Sequence, residues 1–486
     1  MTVAADRALL EELPPVKVLC VGDLMLDRFS YGVVERISQE APIPVLRVDR
    51  EQPMPGAAGN VAANLHALDV AVELVALVGD DAAGREVSAL VAEMVDGAPP
   101  LVESGRRTTV KSRYIADGQQ LLRADRERIE PPASAIEQQI IDRATETMVG
   151  CDVAILSDYG KGVLTERVIS QTIAAANAAG KPVVVDPKGN DYGYYRGATV
   201  VTPNQKELAE AAGLPTESDD QAHTASKAVL NQSGIQSMVA TRGAKGMLIL
   251  TEADAEPLFL GTQAQEVFDV SGAGDTVVAV LAMALGAGAD LKAAARLANL
   301  AAGLVVAKPG TATVTRDDLF HAMTMDAWAE SEAKVVAAAS LPERVAAWRR
   351  NGKRIGFTNG CFDLLHPGHI QLLREARATC DRLIVGLNSD ASVVRLKGPD
   401  RPVQGEAART AVLAALESVD LVAVFDEDTP LSMIEAIRPD VLIKGADYTV
   451  EQVVGAKEVM GWGGEVVLAP IAEGHSTTRL VDRSRS

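Results

Sequence analysis

Short apolar runs recur along this chain, and stretches of helical character lie between most of them. Residues 16–23 (VKVLCVGD) read as a buried strand ending at a Gly-Asp turn, and similar runs follow at residues 72–78, 153–156, 182–185, 199–201 and 238–240. Strands that alternate with helices imply βαβ units around a parallel sheet. Two segments break the pattern. Residues 43–49 (IPVLRVD) and 108–115 (TTVKSRYI) are short, rich in β-branched residues and partly alternating, which predicts half-exposed strands of a small lid or interface sheet. After Thr315 the character changes: residues 316–350 carry alanine and charge with no strand signal. A second alternation begins at Arg354, with strands expected at 382–388, 419–425, 440–443 and 465–468. The expected organisation is α/β throughout: a first domain over residues 1–325, a linker over 326–343 and a second domain over 344–486.

Bulk properties narrow the function. A chain of 486 residues exceeds one ordinary core, and a hydrophobic content of 47% supplies enough apolar surface to fold. The net charge of −19 repels nucleic acid and anionic lipid, so neither nucleic acid nor a membrane is an expected partner. Anionic substrates would need local binding by helix N-termini, backbone amides and a few placed cations. The four cysteines, Cys20, Cys151, Cys361 and Cys380, form no C-x-x-C pair, which argues against a disulfide framework or a zinc cage and fits a reducing cytoplasm. Residues 1–13 lack the apolar core of a signal peptide, and the longest apolar stretch, 277–289, is too short to span a bilayer.

The strongest signal in the first domain is DVSGAGDT, residues 269–276, followed by an apolar helical run. Gly272, Ala273 and Gly274 leave a helix opening without bulky side chains, where a transferring phosphoryl group can sit on free amides. Asp275 enters at the same place and is suited to accept the proton of an attacking hydroxyl. Its free pKa of about 4 makes it a weak base, which a loose phosphoryl-transfer transition state tolerates. The alternative is a Gly-rich turn with an ordinary cap. TPNQKE brings Asn204 and Glu207 to a helix start, where they could order Mg²⁺ through its waters or simply cap the helix. TRGAKG, with Thr241, Arg242, Gly243 and Gly246, follows a strand and offers amides and a cation to a polyphosphate. Asp27 follows the first strand, and Gly56, Gly59 and Asn60 open a helix, a pattern suited to sugar hydroxyls and equally to a turn and a cap.

In this order, these features resemble the ribokinase-like carbohydrate kinases over about residues 15–320. The stretches ISQEAPIPVLRV (37–48), QQLLRADRE (119–127) and SDYGKGVL (157–164) are similar to the heptose 7-phosphate kinase branch. The resemblance implies Asp275 as catalytic base, Gly272 to Gly274 as anion hole, and Asn204 and Glu207 at the Mg-phosphate site. It places Thr241, Arg242, Gly243 and Gly246 at the nucleotide, and Asp27, Gly56 and Asn60 at the sugar. One departure stands out: the family's Gly pair is here Gly56-Ala57, with a glycine displaced to position 59. A substrate with its own phosphate needs cations away from Asp275, and Arg106, Arg107, Lys111 and Arg113 lie in and before a lid strand. Lys111 and Arg113 are the expected holders of that phosphate, against the plainer reading of a solvated strand face.

In the second domain, GFTNGCFDLLHPGHIQLL (356–373) runs from a strand through a Gly turn into a helix opened by His366, Pro367, Gly368 and His369. Pro367 suits a first helical turn. Gly368 lets a nucleotide approach the backbone. His366 and His369, three residues apart, can face one way and donate to an α-phosphate as it becomes five-coordinate. Zinc is the rival reading, but no third His or C-x-x-C lies close in sequence, and Cys361 and Asp363 are only loose candidates. Lys397, Arg401 and Arg409, then Lys444 with Tyr448, then Ser476, Thr477 and Thr478 follow in order.

This half resembles the HxGH nucleotidyltransferases over about residues 350–480, and TNGCFDLLHPGH, K-G-x-D-Y and GHSTT are similar to their heptose 1-phosphate adenylyltransferase branch. The resemblance implies a Rossmann-like nucleotidyltransferase fold behind a ribokinase-like α/β domain with a small β lid. It places ATP on Thr358, Asn359, Gly360, Phe362, Asp363, Gly368, Arg409, Lys444, Ser476, Thr477 and Thr478. A Glu-Arg pair usual in such enzymes is displaced here: Ala407 holds the Glu place and Glu406 lies one position earlier, so Arg409 is the expected partner. Together the two halves imply ATP, Mg²⁺, heptose 7-phosphate and heptose 1-phosphate as reactants and cofactor, and a homo-oligomer, in the simplest case a dimer. Rival readings are kinase and transferase action on a different sugar phosphate, cytidylyl transfer in the second half, and a nucleotide sensor without catalysis. A sensor would be expected to lack Asp275 or one of the two histidines.

Overall fold

The computed structural model of the chain describes residue 7 and residues 9–470, except 117, 254, 263–266, 268, 309 and 447, and for 326–330 it describes the backbone only. The chain divides into two compact units, Met1–Met323 and Thr324–Ser486.

In the first unit the strands are β1 (Lys17–Gly22), β2 (Leu24–Ile37), β3 (Pro44–Ala57), β4 (Ala71–Val75), β5 (Leu77–Gly79), β6 (Leu101–Glu103), β7 (Thr109–Ala116), β8 (Gln119–Arg126), β9 (Val153–Ser157), β10 (Val183–Asp186), β11 (Val200–Val201), β12 (Ser237–Thr241), β13 (Met247–Leu250) and β14 (Leu258–Leu260). Three of its helices carry the site: α1 (Ala58–Ala67), α2 (Gln205–Ala212) and α3 (Ala273–Gly286). Eight strands form the main sheet in the order β14-β13-β12-β11-β10-β9-β1-β4, parallel from β12 to β4 and antiparallel at the β13 and β14 edge.

Both faces of the sheet are covered, and β1 shows why its sequence is continuously apolar. Val18 and Cys20 pack into the core shared with α1 and α3, while Leu19 and Val21 pack into the core shared with helices Ser134–Met148 and Glu166–Ala178. Each such fully buried aliphatic side chain stabilises the fold by about 1.5–3 kcal/mol. α3 is apolar on every side because Val277 to Ala284 are all buried, which accounts for the long apolar run read from the sequence.

The lid is a four-stranded sheet, β3-β2-β7-β8. The two segments expected as lid strands fall in β3 and β7. β2 and β3 are longer than the sequence implied, pairing antiparallel over 14 residues each with bulges at Tyr31/Gly32 and Val34/Arg36.

In the second unit six parallel strands, β15 (Val335–Val336), β16 (Ile355–Gly360), β17 (Arg382–Asn388), β18 (Leu421–Phe425), β19 (Val441–Gly445) and β20 (Glu465–Ala469), are ordered β15-β18-β17-β16-β19-β20. Helices α4 (Pro367–Ala378), α5 (Asp390–Lys397) and α6 (Glu406–Ala414) surround the ends of β16 and β17. The strand order reverses between β16 and β19, and in the first sheet between β1 and β9. Such switch points open a crevice at the carboxyl ends of parallel strands. Residues 316–350, read as strandless, contain β15, which adds to the second sheet beside β18. The span 326–343 is helical to Ala333, followed by β15 and a short 3₁₀ turn at Ala338–Ser340.

Candidate active sites

In the first unit the site begins where β1 ends. A side chain at Gly22 would place its Cβ 2.4 Å from the Ser157 carbonyl oxygen, so β1 and β9 approach closely here. The next residue, Asp23, is buried and accepts the backbone N–H groups of Tyr159, Lys161 and Val163 at 3.0, 2.9 and 3.1 Å. It pins the loop after β9. From that loop the Tyr159 hydroxyl donates to Asp275 Oδ1 at 2.8 Å, and Asn60 Nδ2 on α1 donates to Asp275 Oδ2 at 2.6 Å. Burial pushes the Asp275 carboxyl up to about 6, against the lowering effect of those two donors; Asp27 adds to the rise and Lys111 opposes it. The weak base read from the free pKa is thus corrected: α3 and the sheet exclude water around Asp275 and raise its basicity.

Gly272 adopts a left-handed conformation (φ 82°) at the start of α3, and a Cβ there would lie 2.8 Å from Asn60 Nδ2. The Asp269 carboxylate holds the turn by accepting from Ser271 N at 2.9 Å and Gly310 N at 3.2 Å. Space beside Gly274 is open, so the first amides of α3 face a free approach.

Asn204 and Glu207 form the reciprocal cap of α2: Asn204 Oδ1 accepts from Glu207 N at 3.0 Å and Glu207 Oε2 accepts from Asn204 N at 3.1 Å. Glu207 Oε1 also meets Lys188 Nζ at 2.9 Å. The cap and the site coincide, because both residues line a cleft of about 190 Å³ together with Asp158, Tyr159, Asp186, Lys188, Thr241 and Gly274. Burial holds the Asp186 carboxyl well above the usual carboxylate range, and the charges of Asp275 and Glu207 push it further. Arg242 departs from its expected place. Its guanidinium is buried, donates to Asp219 Oδ1 at 2.7 Å and lies over the Phe259 ring at 5.5 Å, outside the lining of the cleft. Gly243 (φ 56°) and Gly246 (φ 80°) shape the turn around it.

On the sugar side, the parallel register of β2 and β7 sets Asp27 against Lys111. Arg113 Nη1 donates to Asp27 Oδ1 at 2.7 Å and its guanidinium lies 5.0 Å from the Phe29 ring centre. A Cβ on Gly56 would lie 2.5 Å from Asp27 Oδ2, so the glycine makes room for that carboxylate. Lys111 Nζ is 5.6 Å from the Tyr159 ring centre, and burial lowers its pKa. Asn60, expected at a sugar hydroxyl, instead turns its amide to Asp275. Arg106 is committed to Glu103 and to the carbonyls of Glu130 and Lys161, and Arg107 is exposed. Asp23, Tyr159 and Asp186 were not singled out from the sequence. Their signal was an Asp, or a Tyr next to one, directly after a buried strand.

In the second unit Pro367 opens α4 and His366 caps it in an extended conformation. The imidazoles of His366 and His369 stack with centres 3.8 Å apart, and Phe362 packs on His369 at 5.1 Å. Phe362 takes a positive φ of 40°, a conformation that L side chains rarely adopt and that clusters at functional sites. Burial, then His366 and Lys397, push the His369 pKa down to about 4. Among the described residues, the buried Thr358 Oγ1 and Asn359 Oδ1 at the end of β16 have no hydrogen-bond partner. Unsatisfied buried polar atoms at a strand end are what a polar ligand would complete. An open groove of about 790 Å³ runs along α4 past His366, Pro367, Gln371 and Arg374.

Three further residues expected at ATP make hydrogen bonds within the protein. Arg409 is 1% exposed, and its guanidinium donates to the carbonyls of Gln404 (3.1 Å) and Cys361 (2.7 Å) and to Asp390 Oδ1 (2.7 Å). It fixes the 361–363 loop from beneath. Asp363 accepts from Val403 N at 2.6 Å, Gln404 N at 3.2 Å and the Arg401 guanidinium. Lys444 Nζ donates to the Asn359 carbonyl at 2.8 Å. Gly368 is buried in the first turn of α4, and Gly360 packs its Cα side against the Phe362 ring. Ser476, Thr477 and Thr478 lie outside the described residues.

Residues 16–318 match the pfkB family carbohydrate kinases and residues 357–483 match the cytidylyltransferase-like proteins. Over the whole length, the chain is 54% identical to the bifunctional protein HldE of Paramagnetospirillum magneticum across 474 residues, covering 97% of each chain. It is 53% identical to that of Acidiphilium cryptum across 480 residues, covering 99% of this chain and 98% of the relative. The chain belongs to the bifunctional HldE family. It is an enzyme with a carbohydrate-kinase half and a nucleotidyltransferase half, acting on ATP and sugar phosphates. The family's first half has the ribokinase fold: the Arabidopsis thaliana ribokinase complexed with ribose and ATP superimposes with a TM-score of 0.51 at 21% identity, covering 64% of this chain and 99% of its own. Phosphofructokinase-2 of Escherichia coli in complex with potassium gives 0.53 at 21% identity, again over 64% and 99%. At these identities the likeness is one of fold. No helix among the described residues is long and apolar enough to cross a membrane.

Proposed function

We propose that the first unit phosphorylates D-glycero-β-D-manno-heptose 7-phosphate at C1 with ATP. The second unit joins D-glycero-β-D-manno-heptose 1-phosphate to the AMP part of ATP, giving ADP-heptose for lipopolysaccharide core synthesis. The observation that carries this reading is one chain with two separate helix openings, one presenting a buried carboxylate and the other a stacked imidazole pair.

In the kinase half, Asp275 takes the proton of the C1 hydroxyl as that oxygen attacks the γ-phosphorus, the bond to the β–γ bridging oxygen breaks and ADP leaves. The amides of Ala273 and Gly274 face the charge that grows on the moving phosphoryl group, with the helix dipole behind them. Lys111 and Arg113, on the lid side, bind the 7-phosphate. Thr241 lines the nucleotide end of the cleft. In the transferase half, an oxygen of the sugar 1-phosphate attacks the α-phosphorus in line and pyrophosphate leaves. His366 and His369 donate to the α-phosphate oxygens, and Thr358, Asn359 and Lys444 support the same end of β16. No side-chain nucleophile is needed.

Mg²⁺ is the expected cofactor of both halves. In the first, Asp186, Glu207 and Asn204 would hold it, in part through water. They fit the ion, because a divalent cation would restore the ionised form of the buried Asp186 carboxyl. When bound, Mg²⁺ neutralises charge on the ATP phosphates. The functional division is a kinase part over residues 1–325 and a transferase part over 344–486, with the joining stretch 326–343 lending β15 to the second sheet, and we place the enzyme in the cytoplasm, in keeping with its free thiols at Cys20, Cys151, Cys361 and Cys380. A homodimer through the lid is supported by the exposed Ile37, Ile43, Val48, Leu121 and Leu122 there.

Asp275→Asn should abolish sugar phosphorylation and leave adenylyl transfer nearly intact, and His369→Ala should do the reverse. Loss of both activities from a folded protein by either change overturns the two-site reading. Mass spectrometry of products from ATP, Mg²⁺ and a panel of sugar 7- and 6-phosphates tests the sugar. Pyrophosphate release with ATP against CTP tests the nucleotide, with ATP expected to win.

A further inference from the structure

We propose that Tyr159 is a positioning residue of the kinase reaction, tying the base end of the substrate site to its phosphate-binding end. The proposal rests on Asp275 as the base and on Lys111 as a ligand of the substrate phosphate.

Tyr159 is held from behind. Asp23 accepts three N–H groups of the 159–163 loop, and the neighbouring Asp158 accepts the Tyr195 hydroxyl at 2.7 Å. The loop therefore presents its aromatic ring from a fixed base. The hydroxyl donates to Asp275 Oδ1 while Asn60 donates to Oδ2. Two donors from two different segments fix the plane of the carboxylate and leave each oxygen a lone pair to accept from a substrate hydroxyl. Burial drives the Tyr159 ionisation far above its ordinary range, so the group stays a donor at every working pH. The other end of the same side chain lies under Lys111, whose Nζ is 5.6 Å from the ring centre. An ammonium over an aromatic face is attracted by the ring quadrupole. One rigid side chain thus sets the span between the cation for the distal phosphate and the base at C1.

A hydrogen bond to the ionised form of a carboxyl favours that form. Removing the Tyr159 hydroxyl should make Asp275 harder to ionise. The other groups that face Asp275 are Asp27 on β2, Lys111 on β7, Cys20 on β1, Asp186 at the end of β10 and the Asn60 amide on α1. All of them remain in a Tyr159→Phe variant.

The test uses the full-length chain with heptose 7-phosphate and ATP from pH 5 to 9. Tyr159→Phe should lower kcat about tenfold, leave KM for the sugar phosphate within about twofold, and move the acid limb of the kcat profile up by about one pH unit. Tyr159→Leu, which also removes the ring, should in addition raise KM for the sugar phosphate about tenfold without a matching rise for ATP. Adenylyl transfer by the same preparations should be unchanged. If Tyr159→Phe keeps the parent kcat and acid limb while Asp275→Asn is inactive, the proposal fails and the base assignment stands. A drop in thermal stability with an unmoved acid limb means a merely structural tyrosine and also overturns it. An active Asp275→Asn variant removes the base assignment and the proposal with it.

Discussion

Asn60 Nδ2 and Asp275 Oδ2 lie 2.6 Å apart, which joins α1 to α3, a helix more than two hundred residues later. One helical turn on, Thr276 Oγ1 and Asn64 Oδ1 repeat the link at 2.8 Å. The two contacts lace α1 to α3 and place a carboxylate where water is excluded.

That burial has a cost with a definite sign. The Asp275 carboxyl is pushed up to about 6 in the fold, whereas an unfolded aspartate titrates near 4. The folded chain thus holds this proton more tightly than the unfolded chain. Its contribution to stability is complete below about pH 4 and is lost as pH rises through about 6, a swing on the order of 3 kcal/mol. Asp275→Asn should therefore be more stable than the parent at pH 7.5 by about 1–3 kcal/mol, and should lose that advantage near pH 4. Urea unfolding of the first unit followed by circular dichroism at the two pH values measures it. A variant that is less stable at pH 7.5, with no dependence on pH, would contradict the burial account.

Much of this arrangement was legible in the sequence, and the parts that were not share a cause. β9, β10 and β17 read correctly because strands covered on both faces must be apolar throughout. The helix openings at Gly272 and Pro367 read correctly because a phosphate site needs small residues and a rigid first turn at adjacent positions. β15 was missed because two residues carry no periodicity. Tyr159 was missed as a partner of Asp275 because a hydrogen bond across more than a hundred residues leaves no local trace. The resemblance brings Arg409 to ATP, and a motif does not tell that its guanidinium also reaches the Cys361 and Gln404 carbonyls. The basicity of Asp275 was underestimated because it depends on how deeply α3 is buried, a property of packing.

His369 carries the opposite shift. Burial, His366 and Lys397 hold it down to about 4, so at neutral pH the imidazole is uncharged. Being depressed, it stabilises the fold fully above its unfolded pKa of about 6.5, and that contribution is lost as pH falls through about 4. A triphosphate brought against the ring adds negative charge and raises the pKa. ATP binding near pH 6 should thus take up a fraction of a proton that is absent in His369→Gln. Calorimetric titration of both proteins in buffers of different ionisation enthalpy reads the difference. Equal proton uptake by the two would show that the nucleotide does not reach this ring.

Arg409 should matter for stability more than for nucleotide affinity. Its partner Asp390 is 48% exposed, so the ion pair adds little, but loss of the guanidinium leaves the Cys361 and Gln404 carbonyls without their donor and a cavity under the 361–363 loop. Arg409→Ala should destabilise the second unit by about 2–4 kcal/mol, and Arg409→Lys should not restore it, since one ammonium cannot meet three acceptors set in a fork. Trp348 and Trp462, both packed on the core of that unit, report its unfolding by emission. Sugar phosphorylation should survive. An unchanged unfolding midpoint together with a raised KM for ATP would return Arg409 to the nucleotide site.

Ala57 sits where the family pattern has a glycine, and the backbone shows what that exchange costs. The residue caps α1 with φ 55° and ψ −125°, a region open to glycine and strained for any side chain, and it is 4% exposed. Its neighbour Gly56 is closely packed, since a Cβ there would lie 2.5 Å from Asp27 Oδ2 and 2.9 Å from Met25 Cγ. Exchange to glycine ordinarily destabilises by entropy, by about 0.5–1 kcal/mol. Here relief of a backbone strain of about 1–3 kcal/mol should outweigh it. Ala57→Gly is expected to raise the stability of the first unit by about 1 kcal/mol, measured by the denaturant midpoint. Because α1 carries Asn60 to Asp275, the same exchange should leave the pH profile of sugar phosphorylation unmoved if the strain is confined to the cap. A lower midpoint would mean that the alanine methyl packs well enough to offset its conformation.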